Sequence, residues 1–208
     1  MKITWLGHSS VHIDAAGHRV YIDPYAGDDS EYAPASLVLV SRFDFDHCSM
    51  QKLGRLRGEQ TLILGTSALA REVYPSRALR VGETVAHDGI EVIGMPVLSA
   101  HEDAEGHEDE DAIGFLIIAE NKRVYFMGDS AFEEEMVKAR PDVLLIAVGG
   151  TFSAGPREAA KIAGAVAPKL AIPIHWGRHA GTQDDADFFA ELCRVPVRVL
   201  QQGGSVTL

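Results

Sequence analysis

A chain of 208 residues is long enough for one large domain with a substantial core, and 46% hydrophobic with 24% charged residues is the balance of an ordinary globular protein. Thirty acidic residues against nineteen basic ones leave a net charge of −11, which argues against nucleic acid or an anionic membrane surface as partner. Two cysteines, Cys48 and Cys193, are too few for a disulfide framework, and no signal-peptide-like or membrane-spanning run is visible, so a cytoplasmic location is expected.

In chain order, apolar runs bounded by Gly, Pro, Asp or Asn predict strands over 3–6, 11–14, 19–22, 37–40, 61–64, 90–97, 114–119 and 123–127, and later over 143–148, 170–174 and 197–200. Helices are predicted over 67–73, 132–139, 156–166 and 184–192, with Pro156 suited to a first helical turn, where its missing N–H costs nothing. One internal echo stands out. Residues 11–23 (VHIDAAGHRVYID) resemble residues 115–126 (FLIIAENKRVYF), and Asp129 follows the second copy closely. Both read as a hairpin whose second strand delivers an aspartate, which predicts a single domain over 1–208 built of two similar halves.

The apolar run at 37–40 leads into Ser41-Arg42-Phe43-Asp44-Phe45-Asp46-His47-Cys48-Ser49. This has the shape of a metal-binding His-x-His-x-Asp-His loop in which Arg42 and Asp44 stand where the two leading histidines would be. Arginine is a permanent cation without a lone pair, so Arg42 cannot be a ligand. Three further apolar strands end on metal-capable side chains: His101 after 92–98, Asp129 after 124–127, and His175 after 170–174. A lone His or Asp at a strand end is more often a cap or a turn residue. Four such ends can converge on one side of a sheet, and imidazole with carboxylate suits Zn²⁺, Fe or Mn²⁺.

These segments, together with Lys2-Ile-Thr-Trp-Leu-Gly-His-Ser-Ser10, Tyr21-Ile-Asp-Pro24, Tyr125-Phe-Met-Gly-Asp-Ser130, Ile146-Ala-Val-Gly-Gly-Thr-Phe-Ser-Ala-Gly-Pro156 and Ile172-Pro-Ile-His-Trp176, resemble the metallo-β-lactamase superfamily. Within it, the chain is similar to metal-dependent hydrolases of the ascorbate-6-phosphate lactonase kind. The resemblance covers nearly the whole length. It implies an α/β fold, a four-layer αββα sandwich with a metal centre at one edge between the sheets.

It also implies a first metal site at positions 42 and 44 with His101, and a second site of Asp46, His47 and His175, with Asp129 bridging. This chain keeps the second site and departs at 42 and 44. Two arrangements of the first site compete. Either the Arg42 guanidinium replaces a metal and balances Asp44 and Asp129, or Asp44, His101 and Asp129 hold a harder ion while Arg42 points away. The first is favoured, because a fixed positive charge beside a dication is costly. One divalent ion is therefore expected in the second site, with Zn leading and Mn or Fe as alternatives.

The function expected is a metal-dependent hydrolase acting on a small ester, lactone or phosphoester through a metal-activated water. Asp46 would orient the water or shuttle its proton, His101 would serve as general acid, and Arg42 would clamp the developing oxyanion. His8, Thr151 and His179 are candidate substrate contacts, each with a plainer reading as a turn or surface residue. Asp23, before Pro24, is expected to support the site or to form a turn, not to bind metal. The alternative is a non-catalytic binding or scaffold protein with a degenerate metal centre. A nuclease is disfavoured by the acidic balance and the lack of a basic patch. The expected partner is a small-molecule substrate, and a homo-oligomer is left open.

Overall fold

The run Leu37-Val38-Leu39-Val40 has no polar position, as befits a strand covered on both faces. The computed structural model describes residues 1–98, 112–151 and 153–208. Its first part comprises β1 (Lys2–Gly7), β2 (Ser10–Ala15), β3 (His18–Ile22), β4 (Leu37–Val40), α1 (Met50–Leu56), β5 (Leu62–Gly65), α2 (Ser67–Glu72), β6 (Arg77–Ala78), β7 (Thr84–His87) and β8 (Ile90–Met95). There follow β9 (Gly114–Ala119), β10 (Lys122–Phe126), α3 (Glu135–Lys138), β11 (Val143–Ala147), α4 (Pro156–Val166), β12 (Leu170–Ile174), α5 (Gln183–Leu192) and β13 (Ser205–Thr207).

The strands form a seven-stranded sheet in the order β13-β1-β2-β3-β4-β5-β6 and a six-stranded sheet in the order β12-β11-β10-β9-β8-β7. Side chains alternate across each strand, and β4 shows the result. Leu37 and Leu39 join the larger core with Ile13, Phe115 and Phe126, whereas Val38 and Val40 join a second core with Leu53 and Leu56 of α1 and Leu69 of α2. The larger core continues through the second sheet to Met136 of α3, Ile162 of α4 and Phe189 of α5. Helices thus cover the outer face of each sheet, which makes the fold the expected αββα sandwich.

The two echoed segments occupy matching places. β2 and β3 pair antiparallel and β4 adds parallel to β3; β9 and β10 pair antiparallel and β11 adds parallel to β10. Each hairpin hands its aspartate, Asp23 or Asp129, to the end of the sheet.

Several expectations need correction. Residues 197–200 do not form a strand; Val197 makes a single bridge to Ala171, next to Pro196, which has no N–H to extend a ladder. The predicted helix over 132–139 shrinks to the four residues of α3, since Met136 is its only buried residue and nothing apolar anchors the turn before it. The strand predicted over 90–97 stops at Met95. The short strands β6, β7 and β13 and helix α1 were not expected. Ser49 caps α1 by accepting from the Lys52 backbone N–H. Among the described residues, no helix is long and apolar enough to cross a membrane.

Candidate metal centre

The strands β3 and β4 run parallel, as do β10, β11 and β12, so their C-terminal ends deliver loops to shared edges of the two sheets. Asp23 follows β3, the 41–49 loop follows β4, Asp129 follows β10, His175 follows β12 and His8 follows β1. The chain must turn sharply at these points. His8, Asp23 and His175 all take left-handed backbone conformations, with φ of +50°, +45° and +59°. Such conformations cost about 1–3 kcal/mol each in non-glycine residues and persist only where the surroundings enforce them. Here the enforcement is visible. The His8 carbonyl accepts from the His175 N–H and from the Trp5 indole N–H, both at 2.8 Å, which ties the two histidine turns together. Gly149 packs beneath: a Cβ there would lie 2.5 Å from the His175 carbonyl oxygen. Gly149 therefore has a packing reason to lack a side chain, and Gly150 a conformational one, at φ +75°.

At the centre, Nε2 of His47 and Nε2 of His175 both approach Oδ2 of Asp129, at 3.2 and 3.1 Å. His8 Nε2 lies 3.2 Å from Asp46 Oδ2, and its ring sits 3.9 Å from that of His175. One donor atom from each of His8, Asp46, His47 and His175 falls within 4.8 Å of all the others, so these four side chains could hold a metal ion. The three imidazoles are buried, as is Asp129.

Asp23 supports this cluster from behind. Its buried carboxylate accepts from the Ser41 backbone N–H at 2.7 Å and from the Ser41 hydroxyl at 2.6 Å, and pairs with His47 Nδ1 at 2.8 Å. With Nδ1–H given to Asp23, a neutral His47 points an Nε2 lone pair at the Asp129 carboxylate. A lone pair facing an anion calls for a cation between them, either a proton or a metal. Both ring nitrogens of His175 are buried without a hydrogen bond of good geometry, although Nε2 is 3.1 Å from Asp129. Close approach with poor hydrogen-bond alignment is the geometry that shared ligation of one ion would leave. The donor set therefore fits a divalent metal ion.

The electrostatics follow the same pairing. Burial works to raise the Asp129 carboxyl, but the close approach of His175 and His47, with the His47 hydrogen bond, outweighs it and holds the group far below the usual carboxylate range. Burial opposes charge on His47 too, yet Asp23 and Asp129 lift its pKa well above the ordinary histidine value. For His8 burial wins over the Asp46 hydrogen bond and the pKa falls. Asp46 is lowered, because its bond to His8 and the nearby His47 outweigh desolvation. Burial pushes the Cys48 thiol up to about 12, so it offers no thiolate to the site.

The structure thus brings Asp46, His47 and His175 together with His8, and sets Asp129 against His47 and His175. His101 lies outside the described residues. Arg42 donates from Nε to Asp44 Oδ2 at 2.9 Å, with Asp44 half exposed, while Asp129 meets imidazoles instead. His179 and Tyr25 share a short hydrogen bond, with the His179 ring 5.6 Å from His8 and 5.5 Å from Phe45, so His179 sits on the rim. Thr151 is exposed in the turn after Gly149 and Gly150. Sequence reasoning placed His8 among substrate contacts and missed its membership of the cluster. The available signal was the same one that marked His175, a strand ending directly at a histidine.

Beside His8 opens a cavity of about 250 Å³, lined in part by Trp5, Trp176 and Arg178. A larger groove of about 900 Å³ lies at the opposite ends of the strands, around His18 and Ser36, and shares no residue with the cluster.

A family model described as "Beta-lactamase superfamily domain" matches residues 2–175. A protein of Methanopyrus kandleri named as a metal-dependent hydrolase is 28% identical over 206 residues, covering 91% of this chain and 90% of its own. Among solved structures, a metallo hydrolase from the hyperthermophilic archaeon Ignicoccus hospitalis superposes with a TM-score of 0.80 at 21% identity, covering 100% of this chain and 97% of that one. A metallo-beta-lactamase fold protein from Bacillus subtilis gives 0.79 at 15% identity, with 99% of each chain covered.

Proposed function

Because the chain belongs to the beta-lactamase superfamily, we propose that it is a metal-dependent hydrolase of a small ester, lactone or phosphoester. The reading is supported by the relative named as a metal-dependent hydrolase and by the cluster at the sheet edge. The observation that carries it is the approach of two buried imidazole Nε2 atoms to a single oxygen of Asp129. His47, His175, Asp129 and Asp46 would hold one divalent ion, Zn²⁺ in first place, with His8 as a further donor. Bound there, such an ion supplies Lewis acidity and activates water for attack.

The chain's own residues would do the rest. Asp23 holds His47 in the tautomer that leaves Nε2 free to bind. Asp46, less buried than its neighbours and bonded to His8, is placed to orient a water or take its proton. Arg42 is paired with the half-exposed Asp44, so as an oxyanion clamp its guanidinium would have to share its charge with that carboxylate.

That same ion pair favours a second reading, a binding or scaffold protein whose metal centre has decayed. Metal content of the purified protein, followed by ester, lactone and phosphodiester assays, separates the two. Hydrolysis by the natural protein that disappears in His175→Ala supports the hydrolase. Hydrolysis that emerges only in Arg42→His/Asp44→His marks a scaffold. A protein that retains no divalent metal overturns the reading altogether.

A further inference from the structure

We propose that the cavity beside His8 is a recognition pocket for the carboxylate of a small, singly charged ester or lactone, with Arg178 as its anion-binding side chain. The reaction assigned to that ligand rests on the hydrolase reading above; the pocket itself rests on separate geometry. At about 30 Å³ per water, a cavity of about 250 Å³ has room for roughly eight water-sized groups, which limits the occupant to a compact metabolite-sized molecule. Its walls are aromatic. Trp5 and Trp176 lie with ring centroids 4.5 Å apart, and both indole N–H groups are already used, by the His8 carbonyl at 2.8 Å and the Pro173 carbonyl at 3.1 Å. They offer apolar surface and no donor, so polar recognition must come from the remaining lining.

Two groups supply it. Arg178 is exposed at the mouth, with its guanidinium 5.4 Å from the Tyr25 ring centroid, and it forms no ion pair with any described residue. A guanidinium without an ion-pair partner among the described residues is notable in a chain with thirty acidic side chains and a net charge of −11. Its planar fork matches a carboxylate. At the inner end lies His8, buried, with its Nδ1 lacking a hydrogen-bond partner among the described residues, a costly omission that a ligand's polar atom would repair once the ring turned towards it. Because the other nitrogen of the same ring lies 3.2 Å from Asp46, the inner wall of this pocket is also the outer wall of the metal cluster. A ligand anchored at Arg178 would thus reach towards the reacting centre. Gly7, at φ +113°, keeps the pocket open: a Cβ there would press on Ala26 at 3.2 Å and on Gln202 at 3.3 Å. One arginine against so negative a chain balances one charge and not two, which favours a carboxylate over a phosphate dianion.

The chain's only tryptophans are the two that line this cavity, so intrinsic fluorescence reports on it directly. The zinc-loaded protein is titrated with monomethyl succinate and, separately, with its neutral counterpart dimethyl succinate, and hydrolysis of each is followed in parallel. The pocket predicts a saturable fluorescence change at a Kd at least about tenfold lower for the monoanion, the worth of one charge-assisted hydrogen bond. Arg178→Gln should erase that preference, and Arg178→Lys should keep part of it. Equal response to both esters, or a preference that survives Arg178→Gln, overturns the pocket while leaving the hydrolase reading intact. Selective quenching without hydrolysis across the ester, lactone and phosphodiester panel does the reverse.

Discussion

The 41–49 loop carries two ion pairs only a few residues apart, and they differ in nearly every physical respect. His47 is buried, its Nδ1 meets Asp23 and its Nε2 meets Asp129, and Ser41 completes the set with two hydrogen bonds to the same Asp23. Asp44, two residues before Asp46, is half exposed and pairs with Arg42. Breaking a buried, hydrogen-bonded pair by removing one partner costs roughly 3–5 kcal/mol, whereas an exposed pair is worth about 0–1 kcal/mol. The half of the loop that matches the family's metal motif is thus the half the fold cannot easily give up. The half that departs from it has moved to where change is cheap.

This contrast can be broken in graded steps. His175→Ala removes one of the two imidazoles facing Asp129 and should reduce retained metal to background and hydrolysis by at least about a hundredfold, more than the loss of a supporting partner would cause. Elemental analysis with a rate assay checks it. Asp23→Asn leaves His47 in place but removes its partner's charge and puts an amide NH2 where a carboxylate oxygen accepted. Metal affinity should fall about 10–100-fold in a chelator competition, and metal-free stability should drop by roughly 3 kcal/mol in denaturant unfolding. Gly149→Ala forces a methyl to within 2.5 Å of the His175 carbonyl oxygen, for an expected loss of about 1–3 kcal/mol and weaker metal binding through a displaced His175. Asp44→Asn should shift stability by less than about 1 kcal/mol. If Asp44→Asn proves as damaging as Asp23→Asn, the division between an essential and an expendable half fails.

Much of the architecture was legible because β4, β9, β11 and β12 are near-continuous apolar runs, the mark of strands buried on both faces. The elements that escaped notice are those whose existence depends on neighbours. β13 alternates exposed and half-buried residues at an edge beside β1, and α1 carries Gly54 and a buried Lys52 whose Nζ reaches the Gly27 carbonyl at 2.7 Å. Neither advertises itself locally. In the site, Asp46, His47, Asp129 and His175 were readable as polar residues closing apolar strands. His8 was under-read because Gly7-His8-Ser9 looks like any strand end; contacts distant in sequence, from His175 N–H to its carbonyl across 167 positions of chain and from its Nε2 to Asp46, make it part of the cluster. The partner of Arg42 was half anticipated: Asp44 was expected beside it, but the neutralisation of Asp129 by imidazoles was not.

The left-handed turns at His8, Asp23 and His175 bear on how this protein would respond to selection. At all three positions the backbone suits glycine or asparagine better than the residue present. A laboratory screen that rewarded heat resistance and ignored chemistry would gain by relaxing the turns at His8 and His175, each gain removing a cluster histidine, whereas at Asp23 the bonds to Ser41 and His47 outweigh the strain of the turn. Retention of the two histidines under such a screen would mean that bound metal returns more stability than their turns withhold.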